Sequence, residues 1–280
     1  MKQTEPVALV TGASSGFGLL TAVALARRGY RTIATMRNPE NSTDLLKKAA
    51  AAGVEEAIVV LPMDVTDQAQ IHQTVSAVLQ AYGRIDVLIN NAGFAAGGFV
   101  EDVPMDIWRK QIETNVFGVI AVTKAVLPAM RQRGSGCIVN IGSVAGRIAF
   151  PGYGPYSTSK FALEGFSEAL RLEMKPFGVR VVLLEPGPYR TDIWQKGFGS
   201  MSGRADSPYR HALQRVLRYS KKAAETAPDP AQVADRIVQI VESARPKLRY
   251  LLGWSPALSL MGKALLPWRW YEYIVERLMR

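Results

Sequence analysis

The sequence predicts a single α/β domain built on a doubly wound parallel sheet, with helices on both faces of the sheet. Short apolar runs alternate with longer segments of helical periodicity between residues 7 and 184. Such alternation is typical of parallel strands joined by right-handed crossover helices. The chain has 280 residues and is 48% hydrophobic, which is enough for one large core. No linker is long enough to separate two domains.

Each strand is predicted from a short run rich in Val, Ile and Leu, because strands of a parallel sheet are buried on both faces. The runs lie at residues 7–10, 31–35, 57–61, 87–89, 137–141 and 180–184. Each helix is predicted from apolar residues that recur every three or four positions. These segments lie at residues 16–28, 43–52, 67–82, 106–130 and 155–175.

The pattern changes after residue 185. Residues 189–226 are polar and basic, which predicts a mobile substrate loop with short helices. A helix at 230–243 and a last strand at 248–252 then complete a catalytic domain that spans residues 1–253.

Residues 254–280 form a C-terminal helical extension of the same domain. The stretch 267–280 predicts an amphipathic helix, whose apolar face holds Trp268, Tyr271, Val275 and Leu278. Three hypotheses apply to this face. It packs against the protein itself, it makes a peripheral contact with a membrane surface, or it forms a subunit interface.

Composition limits the classes of protein and of partner. Cys137 is the one cysteine, so no intrachain disulfide forms, and its apolar neighbours predict a buried thiol. No long apolar segment precedes the first strand, and the uncharged apolar-rich stretch 250–262 is too short to span a bilayer. We therefore expect a cytoplasmic protein, at most peripherally associated with a membrane.

The net charge of +10 is unevenly distributed, because residues 245–280 hold seven basic and two acidic residues. Basic charge favours anionic partners. No DNA- or RNA-binding motif is visible, so we expect no nucleic-acid partner, and we expect no metal site.

A glycine-rich loop, Thr11-Gly-Ala-Ser-Ser-Gly-Phe-Gly18, follows the first strand and opens the first helix. Its glycines allow a tight turn and a close approach of the backbone, and the helix N-terminus then faces a pyrophosphate. The spacing differs from the general G-x-G-x-x-G fingerprint. The loop nevertheless predicts a dinucleotide site that includes Gly12, Ser14, Ser15, Gly16, Phe17 and Gly18.

The end of the second strand indicates which dinucleotide binds. Enzymes that use NAD usually place an acidic residue there to hold the ribose 2′-hydroxyl. This chain instead has Thr35-Met-Arg-Asn38, and the guanidinium of Arg37 suits a 2′-phosphate. The sequence therefore favours NADP(H) over NAD(H).

Ser143, Tyr156 and Lys160 supply the candidate chemistry. Tyr156 and Lys160 are four residues apart on a predicted helix and so share one face. An ammonium beside a phenol favours the phenolate, so we expect the pKa of Tyr156 to lie below its reference of about 10. The phenol would then act as a general acid or base, and Ser143 would bind the same substrate oxygen.

With these motifs, the chain resembles the short-chain dehydrogenase/reductase family over residues 7–192, two thirds of its length. The resemblance implies a Rossmann-type domain with about seven parallel strands, and homodimers or homotetramers through the two long helices. It implies that Asn115 holds a water of a proton relay, with Ser143, Tyr156 and Lys160 as catalytic residues. It also implies cofactor contacts by Asp64, Val65, Asn91, Ala92, Gly93, Tyr156, Lys160, Pro186, Gly187 and Thr191.

The loop sequence and the extension look most like the branch that acts on hydroxysteroids and retinoids, which implies a lipophilic carbonyl or alcohol substrate. The candidate pocket residues are mostly apolar and comprise Phe94, Ile148, Phe150, Tyr153, Tyr189, Ile193, Trp194 and Phe198. A second hypothesis is reduction of 3-oxoacyl thioesters on an acidic carrier protein. A third is a non-catalytic NADP(H)-binding regulator, although such proteins usually lack the Tyr or the Lys.

Overall fold

The structure is a computed structural model that describes residues 5–191 and 206–278. Its centre is a seven-stranded, all-parallel sheet with strand order β3-β2-β1-β4-β5-β6-β7. The strands are β1 (Val7–Thr11), β2 (Arg31–Met36), β3 (Ile58–Pro62), β4 (Val87–Asn90), β5 (Gly136–Ile141), β6 (Val179–Pro186) and β7 (Arg249–Leu252). The predicted fold class is confirmed, because every predicted strand is present and the order reverses between β1 and β4.

Ten α-helices lie among the described residues. They are α1 (Gly16–Ala26), α2 (Thr43–Ala51), α3 (Gln68–Tyr82), α4 (Met105–Ile112), α5 (Gly118–Arg133), α6 (Gly154–Met174), α7 (Arg210–Glu225), α8 (Ala231–Glu242), α9 (Trp254–Leu265) and α10 (Trp268–Leu278). The helix predicted at 106–130 is interrupted by a π turn, Glu113–Phe117, that joins α4 to α5.

The core has two layers, one on each face of the sheet. Helices α1, α2 and α8 cover one face, and helices α3, α5 and α6 cover the other. Alternate residues of β1 divide between the layers, since successive side chains of a strand point to opposite faces. Ala8 and Val10 belong to the first layer, and Val7 and Leu9 to the second.

The core includes two apolar segments that bear on the sequence analysis, one around Cys137 and one in the long helical stretch before β5. Cys137 is fully buried, as predicted, and its burial raises the pKa of the thiol to about 11. The stretch Met105–Arg133 is long and apolar enough to cross a membrane by length and composition alone. Its residues Val122 and Val126 are fully buried in the second core layer, so part of this stretch belongs to the core.

Within the segment 189–226, residues 192–205 lie outside those described, and residues 210–225 form one helix of 16 residues, α7, in place of the short helices expected there. It packs on the loops that follow β4 and β5. Ser207 Oγ donates to Asp102 Oδ2 at 2.5 Å, and the hydroxyls of Tyr153 and Ser220 are 2.5 Å apart. The many basic residues of α7 obscured the apolar spacing that buries its inner face.

Candidate active site

The candidate residues lie along one edge of the sheet, because each follows the carboxyl end of a parallel strand. Gly12 follows β1, Arg37 follows β2, Asp64 follows β3, Asn91 follows β4 and Ser143 follows β5. In open parallel sheets this edge forms the ligand crevice, next to the point where the strand order reverses.

The glycine loop leaves the start of α1 open to an anion. Gly12 and Gly16 adopt positive φ, and a Cβ at Gly12 would come within 2.8 Å of the Ala92 backbone. Ser15 is the N-cap residue, but its side chain makes no capping hydrogen bond. The first N–H groups of α1 are therefore available to a phosphate, so this loop fits a dinucleotide.

Asn91 and Thr11 fasten the loop after β4 to the glycine loop. Thr11 Oγ1 accepts hydrogen bonds from the N–H groups of Asn91 and Ala92 at 3.0 and 2.9 Å. Asn91 Nδ2 donates to the carbonyls of Thr11 and Gly12 at 2.8 and 3.0 Å. The exposed Gly93 lies beside Asn115.

Arg37 is exposed at the end of β2, and within the described residues its guanidinium has no hydrogen bond or ion pair. The backbone links it to the glycine loop, because Ala13 N–H donates to the Thr35 carbonyl at 2.9 Å. At the end of β3, Asp64 Oδ1 accepts from the N–H and hydroxyl of Thr66. Val65 beside it is buried.

Ser143, Tyr156 and Lys160 are brought together. The hydroxyl of Ser143 lies close enough to the phenol of Tyr156 to offset part of a burial-induced rise in its pKa, and it accepts a hydrogen bond from the Ala145 N–H at 3.1 Å. Lys160 Nζ lies 5.6 Å from the centroid of the Tyr156 ring and donates to the Ile141 carbonyl at 2.7 Å. All three side chains are mostly buried.

The expectation that the pKa of Tyr156 lies below 10 is wrong for this structure. Burial of the phenol raises the pKa of Tyr156, and the Ser143 hydroxyl offsets only part of that rise. Burial also lowers the pKa of Lys160 to about 8. Since the ammonium is bonded to the Ile141 carbonyl, it is not directed at the phenol. Tyr156 therefore keeps its proton at neutral pH, as a general acid must.

Asn115 lies in the π turn, and its side chain holds the loop after β4. Its Oδ1 accepts from the Phe94 N–H at 3.1 Å, and its Nδ2 donates to the Phe94 carbonyl at 2.9 Å and to Ser159 Oγ at 3.1 Å. Gln111 also holds this loop, because its side-chain oxygen accepts a hydrogen bond from the Ala96 N–H at 2.6 Å. It was not predicted from the sequence, although its position four residues before Asn115 places both side chains on the same helix face.

The loop after β6 returns over the start of α1. Pro186 ends the strand, and the Gly187 N–H donates to the Leu252 carbonyl at 3.0 Å. A Cβ built on Gly16 would lie 3.8 Å from Thr191. Tyr189 is buried in the core edge-to-face with Phe17, at 5.8 Å between ring centroids. Its position favours a packing role over the predicted substrate contact.

The other predicted pocket residues lie on the segments that follow β4 and β5. Phe94, Phe150 and Tyr153 are half-buried, and Ile148 is fully buried. Helix α7 packs on this group through Val216 against Gly152, and through the bond between Ser220 and Tyr153. Three further predicted pocket residues lie outside the described residues, namely Ile193, Trp194 and Phe198.

A cluster of charged side chains that the sequence pattern does not indicate joins α6 to the ends of β6 and β7. Glu185 is fully buried just before Pro186, and Glu164 lies one turn after Lys160 on α6. Arg249 Nε is 2.9 Å from Glu164 Oε2 and 3.3 Å from Glu185 Oε1, and its guanidinium also contacts Glu168. Burial, with Glu185 adding to it, raises the pKa of Glu164 to about 7.

Replacing Glu164 with glutamine should remove a pH dependence of stability. Because the pKa of Glu164 is raised from 4.5 to about 7, the fold holds this proton more tightly than the unfolded chain does. Its contribution is therefore present at low pH and is lost as the pH rises through 7. We expect the Tm of the natural chain to fall by about 5 °C more than that of the variant between pH 5 and 8, measured by calorimetry.

The matched control for this measurement is Glu168→Gln. Glu168 contacts the same guanidinium, but its side chain is half-exposed. Glu168→Gln should show the same fall in Tm between pH 5 and 8 as the natural chain. The same fall in Glu164→Gln would contradict the assignment of this pH dependence to Glu164.

The comparisons with known proteins agree on one family. The sequence model of a family described as "short chain dehydrogenase" matches residues 6–200. An "Uncharacterized oxidoreductase YusZ" of Bacillus subtilis is 48% identical over 98% of both chains. A "3-ketodihydrosphingosine reductase" of Bacteroides thetaiotaomicron is 35% identical over 96% of both. The human "17-beta-hydroxysteroid dehydrogenase type 1" is 35% identical over 87% of this chain and 76% of its own.

Solved structures with the same fold include one in complex with NAD and one with NADPH. A short-chain dehydrogenase/reductase from Burkholderia phymatum in complex with NAD has a TM-score of 0.80 at 27% identity, covering 93% of this chain and 94% of its own. A single-residue variant of actinorhodin polyketide ketoreductase with NADPH has a TM-score of 0.77 at 34% identity, covering 89% and 96%.

Proposed function

Because this chain belongs to the short-chain dehydrogenase/reductase family and is an oxidoreductase of CH–OH groups, we propose that it interconverts a lipophilic carbonyl and its alcohol with NADP(H). The observation that carries the proposal is the grouping of Ser143, Tyr156 and Lys160 at the sheet edge, beside the uncapped start of α1. The proposed location is the cytoplasm, as part of a homodimer or homotetramer.

The protein's part in the reaction follows from this grouping. When bound, the nicotinamide supplies or accepts the hydride. In reduction, Ser143 and Tyr156 donate hydrogen bonds to the carbonyl oxygen, and these strengthen as negative charge develops on that oxygen. Tyr156 then delivers its proton to the oxygen. Lys160 keeps a positive charge close to the site, and Asn115 fixes the loop that borders it.

A lipophilic substrate is supported by the half-buried aromatic side chains of Phe94, Phe150 and Tyr153 on the segments that follow β4 and β5. Two of the relatives are described as acting on a ketosphingoid lipid and on steroids, both of which are lipophilic. Cofactor oxidation at 340 nm against steroid ketones, retinal, a long-chain keto-amine and small ketones tests this proposal. Turnover confined to small water-soluble ketones would contradict it.

The choice of NADP(H) depends on Arg37, whose exposed guanidinium has no partner among the described residues. Changing Arg37→Glu should lower kcat/KM with NADPH by about 10- to 100-fold, because a carboxylate would face the 2′-phosphate. Catalysis with NADH should be retained or improved. Steady-state kinetics with both cofactors measure the ratio of kcat/KM with NADPH to kcat/KM with NADH.

The matched control for Arg37 is the exposed Arg27→Glu, at the end of α1 and away from the crevice. This variant should keep the ratio of the natural chain. Equal losses with NADPH and NADH in Arg37→Glu would contradict a 2′-phosphate contact.

Reduction of 3-oxoacyl thioesters on an acidic carrier protein is the second candidate. Helix α7 favours it, because its basic residues greatly outnumber its single acid, Glu225. These residues are Arg210, Arg215, Arg218, Lys221 and Lys222. A carrier-bound 3-oxoacyl substrate with a KM far below that of the free thioester would favour this candidate.

A further inference from the structure

Helix α10 has an apolar side that is not the one expected from the sequence. Of the predicted apolar face, Tyr271 and Val275 are half-buried, whereas Trp268 is 61% exposed; the side chain of Leu278 lies outside those described. Trp270 and Tyr273 are 64% and 55% exposed, respectively. The helix therefore keeps large aromatic groups in solvent.

These exposed residues form one stripe, which we call the tail face and define as Arg269, Trp270, Tyr273, Ile274 and Arg277. Trp270, Tyr273, Ile274 and Arg277 have the i, i+3, i+4 and i+7 spacing of one helix face. Arg269 borders it and lines a shallow groove with Trp270 and Tyr273.

The charge at the centre of the tail face is positive. The guanidinium of Arg277 lies between Trp270 and Tyr273 in the helical projection, 5.6 Å from the centroid of the Tyr273 ring. Glu272 and Glu276 flank the other edge, beside Arg269, and Glu272 accepts a hydrogen bond from the Trp268 indole at 2.6 Å. An aromatic surface with an arginine at its centre is suited to an apolar layer that carries anionic groups.

The end of α9 adds further exposed apolar groups close in sequence. Met261 is 57% exposed and Leu265 is 77% exposed, and Leu266 follows at the junction with α10. Soluble monomers rarely leave so many large apolar side chains together in solvent unless they meet a partner or a membrane.

We propose that the tail face docks on the surface of a lipid bilayer that contains anionic lipids. Trp and Tyr rings favour the boundary between headgroups and acyl chains, and arginines reach the phosphates above it. A second copy of the chain fits this surface poorly. Pairing of two tail faces would bring the Arg277 cation at the centre of each face towards the Arg277 of the other copy.

The same helices are fastened to the candidate active site. Lys263 of α9 donates to the Arg147 carbonyl at 2.6 Å, and its ammonium lies 5.5 Å from the centroid of the Phe161 ring. Arg147 is four residues after Ser143, and Phe161 directly follows Lys160. Docking would thus hold the crevice near the bilayer, where a lipophilic substrate dissolves. This last step rests on the proposed function, whereas the docking itself does not.

Sedimentation of the full chain with vesicles tests the docking without cofactor or substrate, so failure of the proposed function would not affect it. Vesicles of phosphatidylcholine alone are compared with vesicles that also contain phosphatidylglycerol. We expect the chain to pellet with the anionic vesicles and to be released by salt. The double variant Trp270→Glu/Tyr273→Glu should lower the partition coefficient about tenfold or more.

The matched control is the double variant Val100→Glu/Tyr219→Glu, which adds the same charge at residues that are 68% and 54% exposed and lie outside the two long helices. It should bind vesicles as the natural chain does. Failure of the natural chain to pellet with anionic vesicles, or equal losses in both double variants, would overturn the proposal. A lower oligomeric mass of the tail variant by light scattering would instead assign this face to a subunit contact.

Discussion

Changing Tyr156→Phe should lower kcat for carbonyl reduction by at least about 100-fold, the lower end expected for loss of a general acid. The ring would still fill its place, but the carbonyl oxygen would lose both a hydrogen bond and its proton donor. Because burial raises the pKa of Tyr156, the phenol is protonated across the neutral range and reduction should vary little with pH there. Alcohol oxidation needs the phenolate and should accelerate as the pH rises.

Stopped-flow or steady-state measurement of cofactor oxidation, with dinucleotide binding followed separately by fluorescence, tests this expectation. Binding should remain, since the phenol hydroxyl is the only group removed. The control is Tyr219→Phe on α7, where the ring is 54% exposed, and it should turn over like the natural chain. A Tyr156→Phe enzyme with nearly normal kcat would show that another group supplies the proton.

Changing Arg249→Met should destabilise the fold by about 3–5 kcal/mol, the usual cost of removing one partner of a buried ion pair. Glu185 is fully buried, and within the described residues two cations contact its carboxylate, Arg249 at 3.3 Å and Arg147 at 3.4 Å. Without Arg249, the pKa of Glu164 should rise further, because its nearest cation would be lost. The loss should therefore be largest above pH 7 and smaller near pH 5.

Urea denaturation at pH 8 and pH 5 measures both parts of this expectation. The exposed Arg245→Met, in the same connection before β7, is the matched control and should change the free energy of unfolding by less than about 0.5 kcal/mol. Adding Glu185→Gln to Arg249→Met should restore part of the loss, since an amide is less costly to bury than a charge. A loss below about 1 kcal/mol for Arg249→Met would mean that Arg147 alone suffices.

The strands could be predicted because their signal is local. Each is a short β-branched run, and burial on both faces leaves few polar residues to confuse the pattern. The glycine loop could be predicted for the same reason, since Gly12 and Gly16 mark backbone positions with positive φ. The grouping of Ser143, Tyr156 and Lys160 could also be predicted. Tyr156 and Lys160 share a helix face, and Ser143 follows a strand at the edge of the sheet where the carboxyl ends of the strands meet.

The remaining features depend on contacts between distant parts of the chain. Arg249 and Glu164 are 85 residues apart, so nothing near either one indicates the pair. The direction of the Tyr156 pKa depends on how deeply the phenol is buried and where the Lys160 ammonium is bonded, neither of which a spacing of four residues reveals. Likewise, α10 has apolar groups on two sides, and only the packing shows which side remains in solvent.

The place of β7 in the sheet has a consequence for synthesis of the protein. β7 is an edge strand that pairs only with β6 among the described strands, yet it brings one of the two arginines that contact Glu185. A nascent or truncated chain that ends before residue 249 would enclose an acidic charge without this counter-ion. Such a chain would stay partly open, and cellular quality control would degrade it in preference to the finished protein.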